Sequence, residues 1–157
     1  MAHHDFKRST GFTLIELILV LVVLGLVAAV ALPRFYDLEA DARAAKVDGL
    51  VEAVRTAASD AHKAAVSGGQ DKAAAATLML GKATVELAHG YPAGNAAGIL
   101  RAARIRPERT DVRIDAPLPG TLVIEVLGGH AGRCTVTYTQ AAAAHRQPII
   151  SADKSAC

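Results

Sequence analysis

Near the start of the chain, two features have residue types and spacing that suggest chemistry: the pair Gly11-Phe12, and Glu16 shortly after it. From Phe12 to Leu32 the chain is apolar apart from Thr13 and Glu16, and no Lys, Arg or His lies in this run. A carboxylate in such a run costs about 2.5–3.5 kcal/mol on membrane-insertion scales and is by default functional, with a partner. Cleavage between Gly11 and Phe12 would create a positive amine that can meet Glu16, within one chain or between neighbours.

The element that must position these residues is an apolar helix. The stretch from Phe12 to Leu32 has 21 residues, which make a helix of roughly 31 Å, about the thickness of a bilayer's hydrocarbon core. Lys7 and Arg8 precede it, which favours leaving the short N-terminal end in the cytoplasm. The sequence therefore predicts a single-pass anchor that sends the C-terminal end out of the cytoplasm.

The heptapeptide Gly11-Phe12-Thr13-Leu14-Ile15-Glu16-Leu17 resembles the class III signal of type IV pilins and their relatives. The resemblance implies that Gly11 is the cleavage glycine, that Phe12 becomes the N-methylated first residue, and that Glu16 is the assembly glutamate. The segment Pro33-Arg34-Phe35 through Ala42-Arg43, and Gly90-Tyr91-Pro92-Ala93 later in the chain, resemble mannose-sensitive haemagglutinin pilins.

Two other interpretations of the N-terminal segment are open. One is a secretory signal peptide cleaved after Ala29-Val30-Ala31, which an acid inside the apolar region argues against. The other is a plain anchor in which Glu16 is incidental, and the coincidence of Gly11, Phe12 and Glu16 argues against that.

Gly25 and Pro33 interrupt the apolar helix. Pro33 cannot donate a hydrogen bond to the carbonyl of Ala29, so a kink is expected there. Gly25 lowers the local helix propensity by about 1 kcal/mol relative to Ala. In type IV pilins a Gly and a Pro at these places bound a segment that can unwind in the filament. The resemblance therefore implies a helix hinge at Gly25 and Pro33.

From Arg34 to about Ala65 the apolar residues recur at three- and four-residue spacing, which indicates one buried helical face. These residues are Val47, Leu50, Val51, Val54, Ala58, Ala61 and Ala65. Together with the membrane segment they predict one helix of about 54 residues, roughly 80 Å long. Charged residues such as Asp41, Asp48 and Glu52 occupy its solvated side.

The rest of the chain indicates a small domain rich in strands. Residues 67–71 break the helix, and residues 72–90 are ambiguous: Ala73–Ala76 would suit a helix, whereas Thr84–Leu87 alternates like a strand. The other predicted elements are a short helix at 96–104, strands around 112–114, 122–126 and 134–138, a hairpin loop at 128–132, and an edge strand at 147–151.

These elements predict an α+β fold in which a long N-terminal helix packs on a small antiparallel sheet. The predicted domains are a leader peptide at 1–11, a transmembrane and assembly helix at 12–33, and a periplasmic or surface-exposed globular domain at 34–157.

Composition and charge limit the function classes. The chain has 157 residues, 52% hydrophobic and 4% aromatic with no Trp, which favours one small domain with a modest core. The net charge is +2, and without residues 1–11 it is +1, because Lys7, Arg8 and Asp5 are removed. Such a balance does not suggest a nucleic-acid binder. One interpretation of the cluster Arg101, Arg104, Arg106, Arg109 and Arg113 is a patch for DNA or an anionic glycan. We favour a solvated connector balanced by Glu108, Asp111 and Asp115.

The two cysteines, Cys134 and Cys157, lie beyond an anchor that places them outside the cytoplasm, and such a pair predicts a disulfide. Many type IV pilins close a C-terminal loop in this way, whereas the pseudopilins of type II secretion commonly lack it.

The sequence has few other candidates for chemistry: no nucleotide-binding loop, metalloprotease motif or nucleophile elbow appears. His62, His89, His130 and His145 lack metal-ligand spacing, so neither an enzyme nor a cofactor is expected.

The resemblance implies a structural subunit of a type IV pilus used for surface attachment. Its expected partners are other copies of the chain, a prepilin peptidase, and an inner-membrane assembly platform with its ATPase. The precursor is expected in the inner membrane, and the assembled pilus on the cell surface, where it would meet a receptor. Two alternatives share the N-terminal motif: a type II secretion pseudopilin, and a DNA-uptake minor pilin that would use the arginine cluster.

Overall fold

A computed structural model of the protein describes residues 12–129, 132–155 and 157, except for the side chains of residues 32–37. The chain forms two compact units, residues 1–38 and 39–157. Helix α1 runs from Leu14 to Ser67 and has 54 residues, the predicted length. Within the described part of the chain, Leu14–Ala31 is the one helical segment long and apolar enough to cross a membrane.

Helix α1 ends where the glycine pair predicts. Gly69 has a φ of 68°, a left-handed conformation that glycine adopts without a steric cost. The backbone N–H of Gln70 donates to the carbonyl of Ala65 at 2.8 Å, which satisfies one of the carbonyls that the end of a helix leaves free. The break predicted at residues 67–71 is therefore confirmed.

A three-stranded antiparallel sheet follows, in the order β1 (Ala76–Leu80), β2 (Ala83–Ala88) and β3 (Tyr91–Pro92). Strand β2 confirms the strand predicted at Thr84–Leu87. The helix considered for Ala73–Ala76 is wrong, because Ala76 opens β1 and pairs with Leu87 of β2. The helix propensity of alanine is a weak preference, and cross-strand pairing overrides it here.

A short π-helix at Ala96–Leu100 and a 3-10 helix at Pro107–Arg109 connect the two sheets. The side chain of Asn95 caps the π-helix by accepting from the backbone N–H of Gly98 at 2.7 Å. A helix was predicted over 96–104; the observed one is shorter, because Arg104 takes a φ of 56° and Ile105 turns into the core.

A four-stranded antiparallel sheet completes the fold, and its strands are neighbours in chain order. The strands are β4 (Val112–Leu118), β5 (Thr121–Val126), β6 (Thr135–Thr139) and β7 (Ile149–Asp153). The predicted last strand is at the sheet edge, shifted to 149–153. The architecture is α+β, but with two antiparallel sheets where the sequence suggested one.

The predicted apolar face of α1 packs against both sheets. Val47, Val54 and Ala58 join the larger core, which includes Ile124 and Tyr138 of the four-stranded sheet. Further along, Ala61 and Ala65 pack with Val85 and Leu87 of β2. Leu50 and Val51 lie at the margin of the larger core, half-buried. The small side chains at the helix end allow the close approach of the smaller sheet.

Tyr138 is the largest fully buried side chain described. Its hydroxyl donates to the backbone carbonyl of Pro92 at 2.7 Å and so links β6 to β3. Burial, and secondarily charge on Tyr91, raise the pKa of Tyr138 far above its ordinary value. The hydroxyl therefore keeps its proton, and remains a donor, at a pH where an exposed tyrosine ionises.

Three contacts hold the C-terminal segment. Cys134, buried on the sheet, is joined to Cys157 with their Cα atoms 4.9 Å apart. Lys154 Nζ lies 2.9 Å from Asp48 Oδ1 on α1, and Arg43 Nε donates to the carbonyl of Cys157. The pairing of β7 with β6 along five residues holds the segment as well.

We expect Tyr138→Phe to lower the free energy of unfolding by about 1–3 kcal/mol, because the buried Pro92 carbonyl loses its donor. The raised pKa also has a pH signature. The contribution of Tyr138 to the free energy of unfolding is fully present below about pH 10, the pH at which this tyrosine ionises in the unfolded chain. The contribution is lost as the pH rises above that value. Chemical denaturation of the chain in non-ionic detergent should show a steeper alkaline loss for wild type than for Tyr138→Phe.

The matched control is Tyr91→Phe, which removes the hydroxyl of a half-buried tyrosine close to Tyr138. This variant should stay within about 0.5 kcal/mol of wild type near neutral pH. Equal alkaline slopes for wild type and Tyr138→Phe would show that Tyr138 does not keep its proton on folding.

We expect peptide mapping without reductant to recover Cys134 and Cys157 in linked peptides, two hydrogens lighter than the sum of the free ones. The link closes a loop of 24 residues counting both cysteines (sequence separation 23), worth roughly 3 kcal/mol by chain entropy. Cys157→Ser should therefore lose about that much stability, and reductant should destabilise wild type but not the variant. Free thiols in protein isolated from an oxidising compartment would contradict the link.

Candidate functional site

The site is the N-terminal end of helix α1, in the unit 1–38. Phe12 and Thr13 precede the helix, which begins at Leu14. The backbone N–H of Glu16 donates to the Thr13 hydroxyl oxygen at 3.3 Å, and the N–H of Leu17 donates to the Thr13 carbonyl at 3.1 Å. Thr13 is thus the N-cap: it accepts from an amide that has no partner further back in the helix.

The role of Thr13 was missed in the sequence, although a signal for it exists. Thr13 and Glu16 have the Thr-x-x-Glu spacing of a capping box, in which a hydroxyl residue starts the helix and an acid occupies its third position. Glu16 is the acidic residue of the first helical turn, where the positive end of the helix dipole stabilises a carboxylate. The carboxylate of Glu16 is therefore stabilised by the N-terminal end of the helix as well as by any amine that precedes the helix.

The helix around Glu16 is exposed all round. Every residue from Phe12 to Val30 is exposed, and Phe12 and Ile15 keep 71% and 76% of their surface. Exposed apolar surface on this scale needs lipid or protein to cover it. Within this unit, Glu16 is the one charged side chain among residues 12–31.

No contact in the structure tests the predicted helix hinge at Gly25 and Pro33. Adding a Cβ to Gly25 would meet nothing within 4 Å. The backbone of α1 is helical through Pro33, whose side chain is not described. The hinge at Gly25 and Pro33 stays a prediction, and Gly11 lies outside the described residues.

The histidines that the structure describes do not converge on a metal site. The ring of His62 stacks on that of Tyr91 with centroids 4.0 Å apart, and its Nδ1 lies 3.0 Å from the carbonyl oxygen of Gly90. His130 lies outside the described residues. In the ranges described, no three potential metal-ligating side chains come together.

The arginine cluster of the sequence is divided by the fold. Arg113 on β4 pairs with Glu125 on β5. Arg101, Arg104 and Arg106 instead line one groove together with Lys82 from the turn between β1 and β2. The cluster was defined by proximity along the chain, so it grouped arginines that the structure separates and did not include Lys82.

Comparisons with known proteins agree with the N-terminal site. Residues 6–32 match the family of the prokaryotic N-terminal methylation motif. The chain is similar to the type IV narrow pilus major component PilA5 of Thermus thermophilus, 52% identical over 50 residues, 32% of this chain and 43% of the relative. It is also similar to a fimbrial protein of Pseudomonas aeruginosa, 40% identical over 55 residues, 35% of this chain and 36% of the relative.

A third relative is the type IV major alpha-pilin of Moraxella bovis, 41% identical over 51 residues, 32% of each chain. The similarity to these three proteins covers less than half of their lengths. No solved structure matches the chain. The methylation motif and these relatives show that the N-terminal third of the chain is similar to type IV pilins and fimbrial proteins.

Proposed function

We propose that the protein is a structural subunit of a type IV pilus that attaches the cell to surfaces. The observation that carries the proposal is Glu16, a lone carboxylate in the first turn of an exposed apolar helix that directly follows the Gly11-Phe12 signal. An enzymatic activity is not part of the proposal, and the relatives are named as pilus components and fimbrial proteins.

The first step is processing by a prepilin peptidase. Hydrolysis of the Gly11–Phe12 peptide bond releases residues 1–11 and leaves an amine on Phe12, which the peptidase then methylates. The new terminus lies one residue before the N-cap Thr13. A positive amine so close to the first turn would oppose the helix dipole, and the carboxylate of Glu16 offsets both positive charges.

The second step is assembly by the inner-membrane platform and its ATPase. The exposed apolar residues of α1 lie in lipid before extraction and against neighbouring helices afterwards, so their burial is kept during transfer. In this apolar surrounding an amine without a partner is costly, and removal of one partner of a buried ion pair costs about 3–5 kcal/mol. The amine of one subunit and Glu16 of its neighbour would therefore fix the register of the incoming chain.

The unit 39–157 would form the outer surface of the filament. Attachment to a receptor would then depend on many weak contacts along the fibre, because repeated binding sites raise the avidity without raising the affinity of one site.

The disulfide between Cys134 and Cys157 favours a pilin over a type II secretion pseudopilin, since pseudopilins commonly lack such a loop.

We expect the subunit in sheared surface filaments to begin at Phe12 and to carry one added methyl group. Intact-mass spectrometry should show the loss of residues 1–11 plus that methyl group. Replacing Gly11 by a bulkier residue should stop the cleavage, so the uncut chain would accumulate in the inner membrane. A mature chain beginning at Leu32, as signal peptidase would produce, would contradict the proposal.

A further inference from the structure

A groove of about 940 Å³ lies in the unit 39–157 beside the turn between β1 and β2. Its cationic lining consists of Lys82, Arg101, Arg104 and Arg106, which we call the basic groove. Glu108 is the one acidic residue among the lining residues, so the lining has a formal charge of +3. All four cations are exposed, although the chain as a whole is nearly neutral.

In the described part of the chain, the basic groove collects four cations without an ion pair, whereas six cations elsewhere on the surface have one. Arg43, Lys46, Arg55, Lys63, Arg113 and Lys154 each have a carboxylate within ion-pair distance. Among the side chains described, none of the four cations of the basic groove has such a partner. Four cations collected in a concavity with a single carboxylate focus a positive field there.

Part of the groove is held in place by hydrogen bonds. Arg101 Nη1 donates to the carbonyl of Thr84 on β2 at 2.8 Å. Ile105 is buried in the larger core and its N–H donates to the carbonyl of Leu100 at 2.9 Å, which fixes Arg104 and Arg106 on either side of it. Because the Arg101 side chain and the backbone at Ile105 are already ordered, less conformational entropy is lost on binding at these two places.

Arg104 has a backbone conformation that is uncommon for a residue with a long side chain. Its φ of 56° lies in the left-handed region, where glycine is the usual residue and a long side chain is uncommon. Folding alone favours glycine at such a position, so the backbone does not explain the arginine. At this position the guanidinium of Arg104 lies on the lining of the basic groove.

The lining indicates the chemistry of the ligand. It has no aromatic residue, and aromatic side chains are what single-stranded nucleic acids stack on. Its apolar part is aliphatic, including the half-buried Leu80 and Pro107, whose C–H groups can contact the C–H faces of sugar rings. Arginine binds carboxylates through two parallel hydrogen bonds. We propose that the basic groove binds a carboxylate-bearing polysaccharide, with uronate carboxylates on Arg101, Arg104 and Arg106.

The proposal deepens the attachment function and concerns the single folded chain, so it can be tested without a filament. The probe is a galacturonate hexamer, with the neutral maltohexaose and a short DNA duplex as comparisons. Binding to the full chain in non-ionic detergent is measured by isothermal calorimetry at about 50 mM and about 200 mM NaCl. Wild type should bind the galacturonate hexamer, more weakly at the higher salt, and should not bind maltohexaose.

The informative variant is Arg104→Gly, because glycine suits the φ of this position and the fold should be at least as stable as wild type. We expect this variant to bind galacturonate about tenfold more weakly, and Lys82→Gln to be weakened in the same direction. The control Arg146→Gln removes an exposed arginine outside the groove and should stay within about twofold of wild type.

Three results would overturn the proposal: no binding of galacturonate by wild type, equal binding by Arg104→Gly, or tighter binding of the DNA duplex than of galacturonate. The last result would assign the groove to nucleic acid. Failure of this experiment leaves processing at Phe12 and assembly unaffected, whereas a chain that fails to assemble can still bind the hexamer. The two proposals therefore fail separately.

Discussion

The carboxylate of Glu16 is a charge in an apolar run, and a charge in such surroundings is costly unless it has a partner of opposite sign. The side chain lies in the first turn of α1, among exposed apolar residues that lipid or neighbouring subunits must cover. The helix N-terminus, whose cap is Thr13, supplies positive potential at this place. The proposed cleavage would add a second source, the amine of Phe12, four residues before Glu16.

The unit 39–157 depends on a different constraint, the packing of a helix with small side chains against two sheets. The alanines at 61 and 65 meet the three-stranded sheet, while Val47 and Val54 meet the four-stranded sheet. A core this modest is supported by specific links. The Tyr138 hydroxyl bonds the Pro92 carbonyl, and the link between Cys134 and Cys157, with the pair Asp48–Lys154, holds the C-terminal segment.

The features that could be predicted from the sequence are those with a strong local signal. The 54-residue helix follows from an apolar run continued by a three- and four-residue periodicity, and the strands of the larger sheet follow from alternation. The strand at Ala76–Leu80 could not be predicted, because an alanine-rich segment favours a helix until its pairing with β2 is known. The division into two sheets likewise depends on contacts between residues distant in the chain.

The candidate sites show the same limit. Glu16 was found because a charge in an apolar run is conspicuous, whereas Thr13 was missed although its spacing to Glu16 carries a capping signal. The basic groove could not be found from the arginine cluster, since Arg113 pairs with Glu125 and Lys82 comes from another hairpin.

The central claim is that Glu16 acts by its charge in assembly. It is tested most directly by producing Glu16→Gln together with wild type and measuring the share of the variant in sheared filaments by mass spectrometry. Glu16→Gln should be cut and methylated normally but be depleted in filaments at least about tenfold relative to its share of the membrane pool, with Glu16→Asp depleted less. Equal shares of Glu16→Gln in filament and membrane would contradict the claim.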